Sequence, residues 1–185
     1  MNIKVVLEYD GSEFSGWQSQ RDRRTVEAEL QRALLLVTGT SPVITAAGRT
    51  DAGAHARGQV VNFRLERIQE PRRLLAALNA VLPQDIAAVS AEAVGDDFHA
   101  RYSARLRRYR YRFLDRWPRP AIDRGYCWHV RRRLDVAAMD AAAAALTGEH
   151  DWTSFCVSAE PPSGRVRVME AARVSRAGDF VELEL

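Results

Sequence analysis

The chain has 185 residues, of which 46% are hydrophobic and 28% charged, a composition that allows a buried core and excludes a disordered or fibrous protein. It contains no run of 18 apolar residues, and the opening residues MNIKVVLEYDGS are not expected to form a secretion signal. The net charge of +3 is mildly basic and compatible with a nucleic-acid partner.

The first part of the chain, residues 1–100, predicts six elements in the order β-α-β-β-α-β. Alternating apolar and polar residues favour strands over 3–9 and 58–66, and residues 43–47 and 86–94 supply two more. Helical spacing predicts a helix over 25–38, with Thr25 as its N-cap and Gly39 as its stop, and a second helix that begins near Pro71. This order predicts a ferredoxin-like unit.

A second unit, residues 101–185, begins with a predicted strand over 105–114. Pro118 and Pro120 indicate a loop, and Asp135 is expected to cap a helix that runs to Gly148. Two strands follow, RVRVMEAARVSRA and DFVELEL, joined by a tight Ala-Gly turn. The order β-α-β-β lacks a last helix and strand. We therefore expect one uncovered sheet face, an unpaired edge and self-association through residues 165–185.

Arginine and aromatic side chains alternate in RYSARLRRYRYRF, residues 101–113. Guanidinium groups pair with phosphates and aromatic faces stack on exposed bases, so the segment fits a nucleic-acid partner. A half-buried strand with a solvated face would show the same alternation. The segment alone favours neither interpretation over the other.

One carboxylate, Asp51, lies among small residues in AAGRTDAGAHARGQ, residues 46–59. An aspartate side chain is ionised at neutral pH and can act as nucleophile, general base or metal ligand. A metal site with His55 lacks companion ligands, and the glycine patterns of phosphate-binding loops are not found in the sequence. For this loop on its own, a structural Arg49–Asp51 pair in a turn is the favoured alternative.

The longer segment AAGRTDAGAHARGQVVNF resembles the signature of the tRNA pseudouridine synthase A family, in which a GRTDxGVHA-like loop carries the catalytic aspartate. Five further blocks resemble that family in the same order and cover nearly the whole chain: EYDGSEFSGWQSQ, LNAVLPQDI, DDFHARYSA, RRYRYRF and GEHDWTSF. Six blocks in register are far more specific than one. The resemblance implies an α+β fold with two ferredoxin-like (βαββαβ) units that meet at a cleft, the pseudouridine synthase fold, with the second unit incomplete.

The resemblance implies an isomerase that converts uridine to pseudouridine in the anticodon stem-loop of tRNA, at positions 38–40. Asp51 would be the catalytic nucleophile, Arg49 would pair with it, and Tyr109 would stack on the uracil. His55 and Arg101 would contact the RNA backbone. Base flipping needs a roomy pocket, which the small residues beside Asp51 would provide. No metal or other cofactor is required, because bonds are exchanged within one nucleotide.

Two features depart from the family pattern, and some assignments have structural alternatives. Ala54 stands where the family has valine. A helical segment of the form F-x-x-H-x-x-R, whose arginine approaches the catalytic aspartate, is not found; a cloning boundary, a frameshift or an incomplete reading frame would each account for this. The alternatives are Trp17 as a core residue, His99 as a hydrogen-bonded structural histidine and Arg101 as a surface ion-pair member.

Three classes of function follow. The leading interpretation is a cytoplasmic tRNA-modifying isomerase without membrane attachment, for which we also consider a homodimer. The alternative is an RNA-binding module of the same fold that is impaired in catalysis. A scaffold protein would leave the GRTD loop unexplained. Cys127 and Cys156 are expected to be free thiols, as in a reducing cytosol.

Overall fold

The computed structural model describes residues 1–66, 70–155 and 165–185 of the chain. The chain divides into two compact units, Met1–Arg105 and Leu106–Leu185, called here the first and the second unit. Each unit combines helices with a sheet in which most neighbouring strands are antiparallel, so the α+β class is confirmed. Within the described ranges, none of the helices has the length and apolar character needed to cross a bilayer.

The first unit has the β-α-β-β-α-β order that the sequence predicts. Its elements are β1 (Asn2–Tyr9), α1 (Val26–Thr38), β2 (Thr45–Ala46), β3 (Ala56–Arg64), α2 (Pro71–Val81) and β4 (Ile86–Val94). The four strands of the described residues form one sheet in the order β2-β3-β1-β4, and all three pairings are antiparallel.

Local signals explain why these elements form where they do. The Thr25 side chain accepts a hydrogen bond from the backbone of Ala28, and Gly39 ends α1 in the left-handed region at φ 71°. Both features are as predicted. Alternate residues of β1 and one face of α1 are fully buried in the core of this unit, including Val5, Leu7, Leu30 and Leu34. Burying each such side chain contributes about 1.5–3 kcal/mol.

The second unit has more strands than the sequence predicts. Its elements are β5 (Arg110–Leu114), β6 (Trp128–His129), α3 (Val136–Ala144), β7 (Gly148–Asp151), a 3₁₀ turn (Thr153–Phe155), β8 (Val166–Met169), β9 (Arg173–Ala177) and β10 (Phe180–Glu184). The larger sheet has the order β6-β5-β10-β9, and β7 pairs with β8 in a separate two-stranded ribbon. Asp135 caps α3 as predicted, accepting a hydrogen bond from Ala138 N at 3.0 Å.

The end of this unit differs from the prediction in two respects. The single strand predicted over RVRVMEAARVSRA is two strands, because β8 pairs with β7 whereas β9 pairs with β10. The expectation that residues 165–185 carry the open edge is wrong for β10, which is hydrogen-bonded to β5 on one side and to β9 on the other. It is correct for β9, an edge strand of this sheet among the described residues. The tight turn between β9 and β10 is present, with Gly178 at φ 64°.

One face of the larger sheet of the second unit is only partly covered by other elements. Val174 and Val181 pack with Ala143 of α3 in a small buried cluster, and Phe113 lies against this cluster. Beside Phe113, the side chains of Tyr111 and Trp128 are 53% and 59% exposed. The expected uncovered face is therefore found at these two aromatic residues.

A buried aspartate fastens the loop between β5 and α3 to the sheet. Asp115 is 2% exposed, and its two carboxylate oxygens accept hydrogen bonds from Nη1 and Nη2 of Arg176 at 2.7 Å each. The backbone N–H of Leu134 donates a third bond at 2.8 Å, and Arg133 lies at 3.3 Å. The Arg176 hydrogen bond is the main reason why the pKa of Asp115 is lowered to about 2.

Candidate active site

The loop between β2 and β3 presents Asp51 to solvent. Asp51, Ala52 and Gly53 are all exposed. Among the described residues, no hydrogen bond or ion pair engages the Asp51 carboxylate. An exposed carboxylate without a competing partner can approach a large substrate. The loop has the accessibility that a nucleophile requires.

The loop is held by backbone hydrogen bonds from the segment that follows β1. Trp17 N donates to Thr50 O at 2.9 Å, on one side of Asp51. Gly53 N donates to Phe14 O at 3.2 Å, on the other side. These bonds fix the backbone on both sides of the carboxylate while its side chain stays accessible.

Two glycines allow this close approach of backbone to backbone. A Cβ atom on Gly11 would lie 2.0 Å from the carbonyl oxygen of Ala54, closer than any real contact. Gly16 has φ +91°, and a Cβ there would lie 2.8 Å from the carbonyl oxygen of Thr50. Only glycine fits at either position. This explains why the DGSEFSGW segment contains its two glycines.

Two buried side chains of the first unit, Tyr9 and Gln59, hydrogen-bond to the Asp51 loop. Sequence reasoning missed both of them. The hydroxyl oxygen of Tyr9 lies 2.8 Å from the Oγ1 atom of Thr50, directly before Asp51. Gln59 donates from Nε2 to Gly48 O at 2.6 Å. Burial raises the pKa of Tyr9, and its hydrogen bonds with Thr50 and Gln59 act in the opposite direction. No signal in the sequence distinguishes them, because Tyr9 continues the apolar face of β1 and Gln59 is one of several polar residues in β3.

His55 joins the loop to the end of β1. Its Nδ1 atom lies 3.1 Å from the backbone nitrogen of Gly11 and 3.0 Å from Oδ1 of Asp10. A neutral ring with bare Nδ1 accepts from Gly11, and a protonated ring donates to Asp10, so either form has a partner. In the ranges that the structure describes, no three His, Cys, Asp or Glu side chains are grouped to hold a metal ion.

Arg49 is exposed and does not pair with Asp51 in the described part of the chain. The predicted Arg49–Asp51 ion pair is therefore wrong for this structure. Backbone bonds at Thr50 and Gly53 hold the loop in its place. A part for Arg49 in binding substrate stays a prediction.

The turn that carries His99 and Arg101 is anchored by two buried asparagines. Asn2 donates from Nδ2 to Gly95 O at 2.9 Å, and Asn62 accepts from Ala100 N at 2.8 Å. Arg101 is exposed and has no ion-pair partner among the described residues, so the ion-pair alternative is wrong for it.

Of the structural alternatives for His99 and Trp17, the first is wrong and the second is confirmed. The Nδ1 atom of His99 is buried without a hydrogen-bond partner in the described chain, which does not fit a satisfied structural histidine. Trp17 is 2% exposed, which confirms it as a core residue.

Cys127 is half-buried and has no disulfide partner among the described residues, whereas Cys156 lies outside them.

Tyr109 lies in the second unit, at the end of the β5–β10 ladder. Its side chain is 61% exposed, and its backbone N–H and C=O pair with Leu185 at 2.8 and 2.9 Å. The neighbouring arginines of β5 are neutralised: Arg110 pairs with Glu184, and Arg112 Nε lies 3.0 Å from Oε1 of Glu182. The solvated-strand interpretation is therefore correct for these two arginines.

Comparisons with known proteins match nearly the whole chain. A family model described as tRNA pseudouridine synthase matches residues 5–103, which include most of β1, the segment that follows it and the Asp51 loop. The tRNA pseudouridine synthase A of Moorella thermoacetica is 44% identical over 185 residues, 99% of this chain and 75% of the relative. That of Caulobacter sp. is 43% identical over 181 residues (97% and 73%), and that of Methylobacterium sp. is 46% identical over 179 (96% and 72%). The chain therefore belongs to the tRNA pseudouridine synthase family.

Proposed function

We propose that this protein isomerises uridine to pseudouridine in tRNA, with the anticodon stem-loop, positions 38–40, as its target. The observation that carries the proposal is the exposed Asp51 carboxylate, unpaired within the described chain, on a loop clamped by backbone bonds. The names of the relatives, all tRNA pseudouridine synthase A, support tRNA as the substrate class.

The chemistry needs one nucleophile and room for the base to turn. The N1–C1′ bond of uridine breaks, a C5–C1′ bond forms, the proton at C5 leaves and N1 gains a proton. Asp51 attacks the ribose or the base to start this exchange and is released at its end as a carboxylate. All atoms of the product come from the nucleotide and water. No cofactor is needed to balance the reaction.

The surroundings of Asp51 suit a flipped nucleotide. Ala52 and Gly53 leave open space beside the carboxylate. Arg49 and Arg101 are exposed, have no ion-pair partners among the described residues and can bind RNA phosphates. His55 is proposed to contact the RNA backbone as well.

Release of tritium from C5 tests the function directly. An unmodified tRNA transcript that contains [5-³H]uridine should lose label to water in the presence of the protein, because the C5–H bond is broken in every turnover. Replacing the uridines at positions 38–40 by cytidine should remove the release. RNA binding without release would instead support the alternative, a catalytically impaired RNA-binding module.

We expect Tyr109 to act through its aromatic face. Tyr109→Phe should leave RNA affinity within about threefold, whereas Tyr109→Ala should lose about 1–3 kcal/mol of base stacking. Fluorescence anisotropy with labelled tRNA measures both variants. Tyr126→Ala, at another exposed tyrosine of the second unit, is the matched control. Equal binding by Tyr109→Ala and the unaltered protein would remove Tyr109 from the site.

Homodimeric assembly and a cytoplasmic location are part of the same proposal. The exposed side chains of Tyr111, Trp128 and Val168 on the second unit support self-association, because burying apolar side chains between two copies would lower the free energy of the assembly. A tRNA substrate supports the cytoplasm, where tRNA is used in translation.

A further inference from the structure

A groove of about 580 Å³ lies in the loop between β5 and α3, wholly within the second unit. Its lining consists of Trp117, Pro118, Arg119, Ala121 and Arg131. Among these described lining residues, two are cationic, one is a large aromatic and none is acidic. The groove contains none of the candidate site residues described above.

Four of the six arginines between β5 and α3 fall into two sets. Arg116 donates from Nε to Pro118 O at 3.1 Å, and Arg133 lies 3.3 Å from the buried Asp115, so both hold the loop in shape. Arg119 and Arg131 make no hydrogen bond or ion pair with any described residue. The two cations in the groove therefore stay uncompensated within the described fold and are available to an anionic ligand.

The side chain of Trp117 is also available to a ligand. Its side chain is 75% exposed, and its ring makes no aromatic or cation–π contact with any described residue. The ring of Trp128 in β6, by contrast, has its centroid 5.7 Å from that of Phe113. With this exposure and no ring or cation partner among the described residues, the indole is available to a planar ligand.

The groove is fixed to the sheet rather than suspended on a free loop. Val130 N donates to Leu114 O at 2.9 Å, and His129 Nε2 lies 2.8 Å from Arg116 O, so the two sides of the groove are joined beside β5. Pro118 restricts the backbone of Trp117 to extended conformations. Trp117 and Arg131 are thus anchored on opposite sides of a preformed surface.

We propose that this groove binds an unpaired nucleotide of the RNA substrate, with the base stacked on Trp117 and the adjoining phosphate held by Arg119 and Arg131. An aromatic face supplies stacking to any base, and two guanidinium groups supply the charge for phosphate. The inference rests on the proposed function only in taking RNA as the ligand. It adds an RNA contact outside the reacting nucleotide.

Anisotropy titrations of labelled, unmodified tRNA with the full chain test the groove. Trp117→Ala should weaken binding by about 5- to 100-fold, whereas Trp117→Phe should stay within about threefold. The double variant Arg119→Gln/Arg131→Gln should lower the slope of log K against log salt by about 0.7 for each phosphate that is no longer neutralised. Arg72→Gln removes an exposed arginine of α2 that has no partner among the described residues, and it serves as the charge control, with an unchanged slope expected.

The outcomes separate the groove from the proposed function. If the unaltered protein releases tritium from tRNA, and Trp117→Ala has the same affinity for tRNA as the unaltered protein, the groove assignment is overturned and the function stands. If weakened binding is seen without any tritium release, the groove stands and catalysis does not. Uridine monophosphate serves as a second probe. If it quenches tryptophan fluorescence in the unaltered protein but not in Trp117→Phe, and the variants leave tRNA affinity unchanged, the RNA assignment is overturned in favour of a free nucleotide.

Discussion

Replacing Asp51 by asparagine is expected to lower tritium release from [5-³H]uridine-labelled tRNA by at least about 1,000-fold, because the amide keeps the size of the side chain but is not a nucleophile. The carboxylate makes no contact within the described chain that the fold requires, so the variant should fold normally. Its RNA affinity should match that of the unaltered protein. Anisotropy and circular dichroism on the same samples check both points.

A second aspartate provides the matched control. Asp22 is exposed, and its positive φ of 57° is one that asparagine also tolerates, so Asp22→Asn removes one charge without strain. This variant should keep full activity. Retained turnover in Asp51→Asn, or an equal loss in Asp22→Asn, would contradict the assignment of Asp51 as the nucleophile.

Replacing Asp115 by alanine is expected to destabilise the second unit by about 3–5 kcal/mol, because it leaves the charge of Arg176 without its partner beside the sheet. It also removes the acceptor of the Leu134 N–H group. Hydrogen exchange should accelerate at the amides of β5, β9 and β10 while those of β1 and β3 keep their protection. Asp96→Ala breaks an exposed pair with Arg64 and should cost less than about 1 kcal/mol.

The same carboxylate predicts a dependence of stability on pH. Its folded-state pKa of about 2 lies below the ordinary value of 3.8, so folding favours the ionised form. The resulting stability, about 2 kcal/mol, is fully present above about pH 5 and is lost as the pH falls from about 4 through about 2. Urea unfolding at pH 5, 4 and 3 measures this loss. An equally steep loss in Asp115→Asn would assign it to other groups.

Elements with local signals could be predicted from the sequence, and those that depend on pairing could not. Thr25 and Gly39 determine the ends of α1 by their own side chain and conformation. Val166 and Val174 lie in segments with the same alternation, yet their strands pair with different partners. Alternation predicts a strand but does not say which strand lies beside it.

The candidate site shows the same division. The loop around Asp51 could be predicted because its small residues and its resemblance to a family are properties of one continuous segment. The ion pairs of Arg110 and Arg112 could not, because the glutamates lie on β10, far along the chain, and become neighbours only through its register with β5. Asp115 was missed for the same reason, since Arg176 comes from a different strand.

The glycine contacts beside the Asp51 loop have a consequence for how activity arises during folding. Tyr9 and Thr50, 41 residues apart, must meet before the backbone around Asp51 has its native shape, and Gly11 must reach Ala54 across a similar length of chain. Contacts of such long range form late, because the closure entropy of the intervening chain opposes them. A folding intermediate with α1 formed but β1 not yet paired to β3 would contain every catalytic side chain and still be inactive. During refolding, we expect turnover to appear only after the tertiary structure of the first unit is complete, later than its helical circular dichroism.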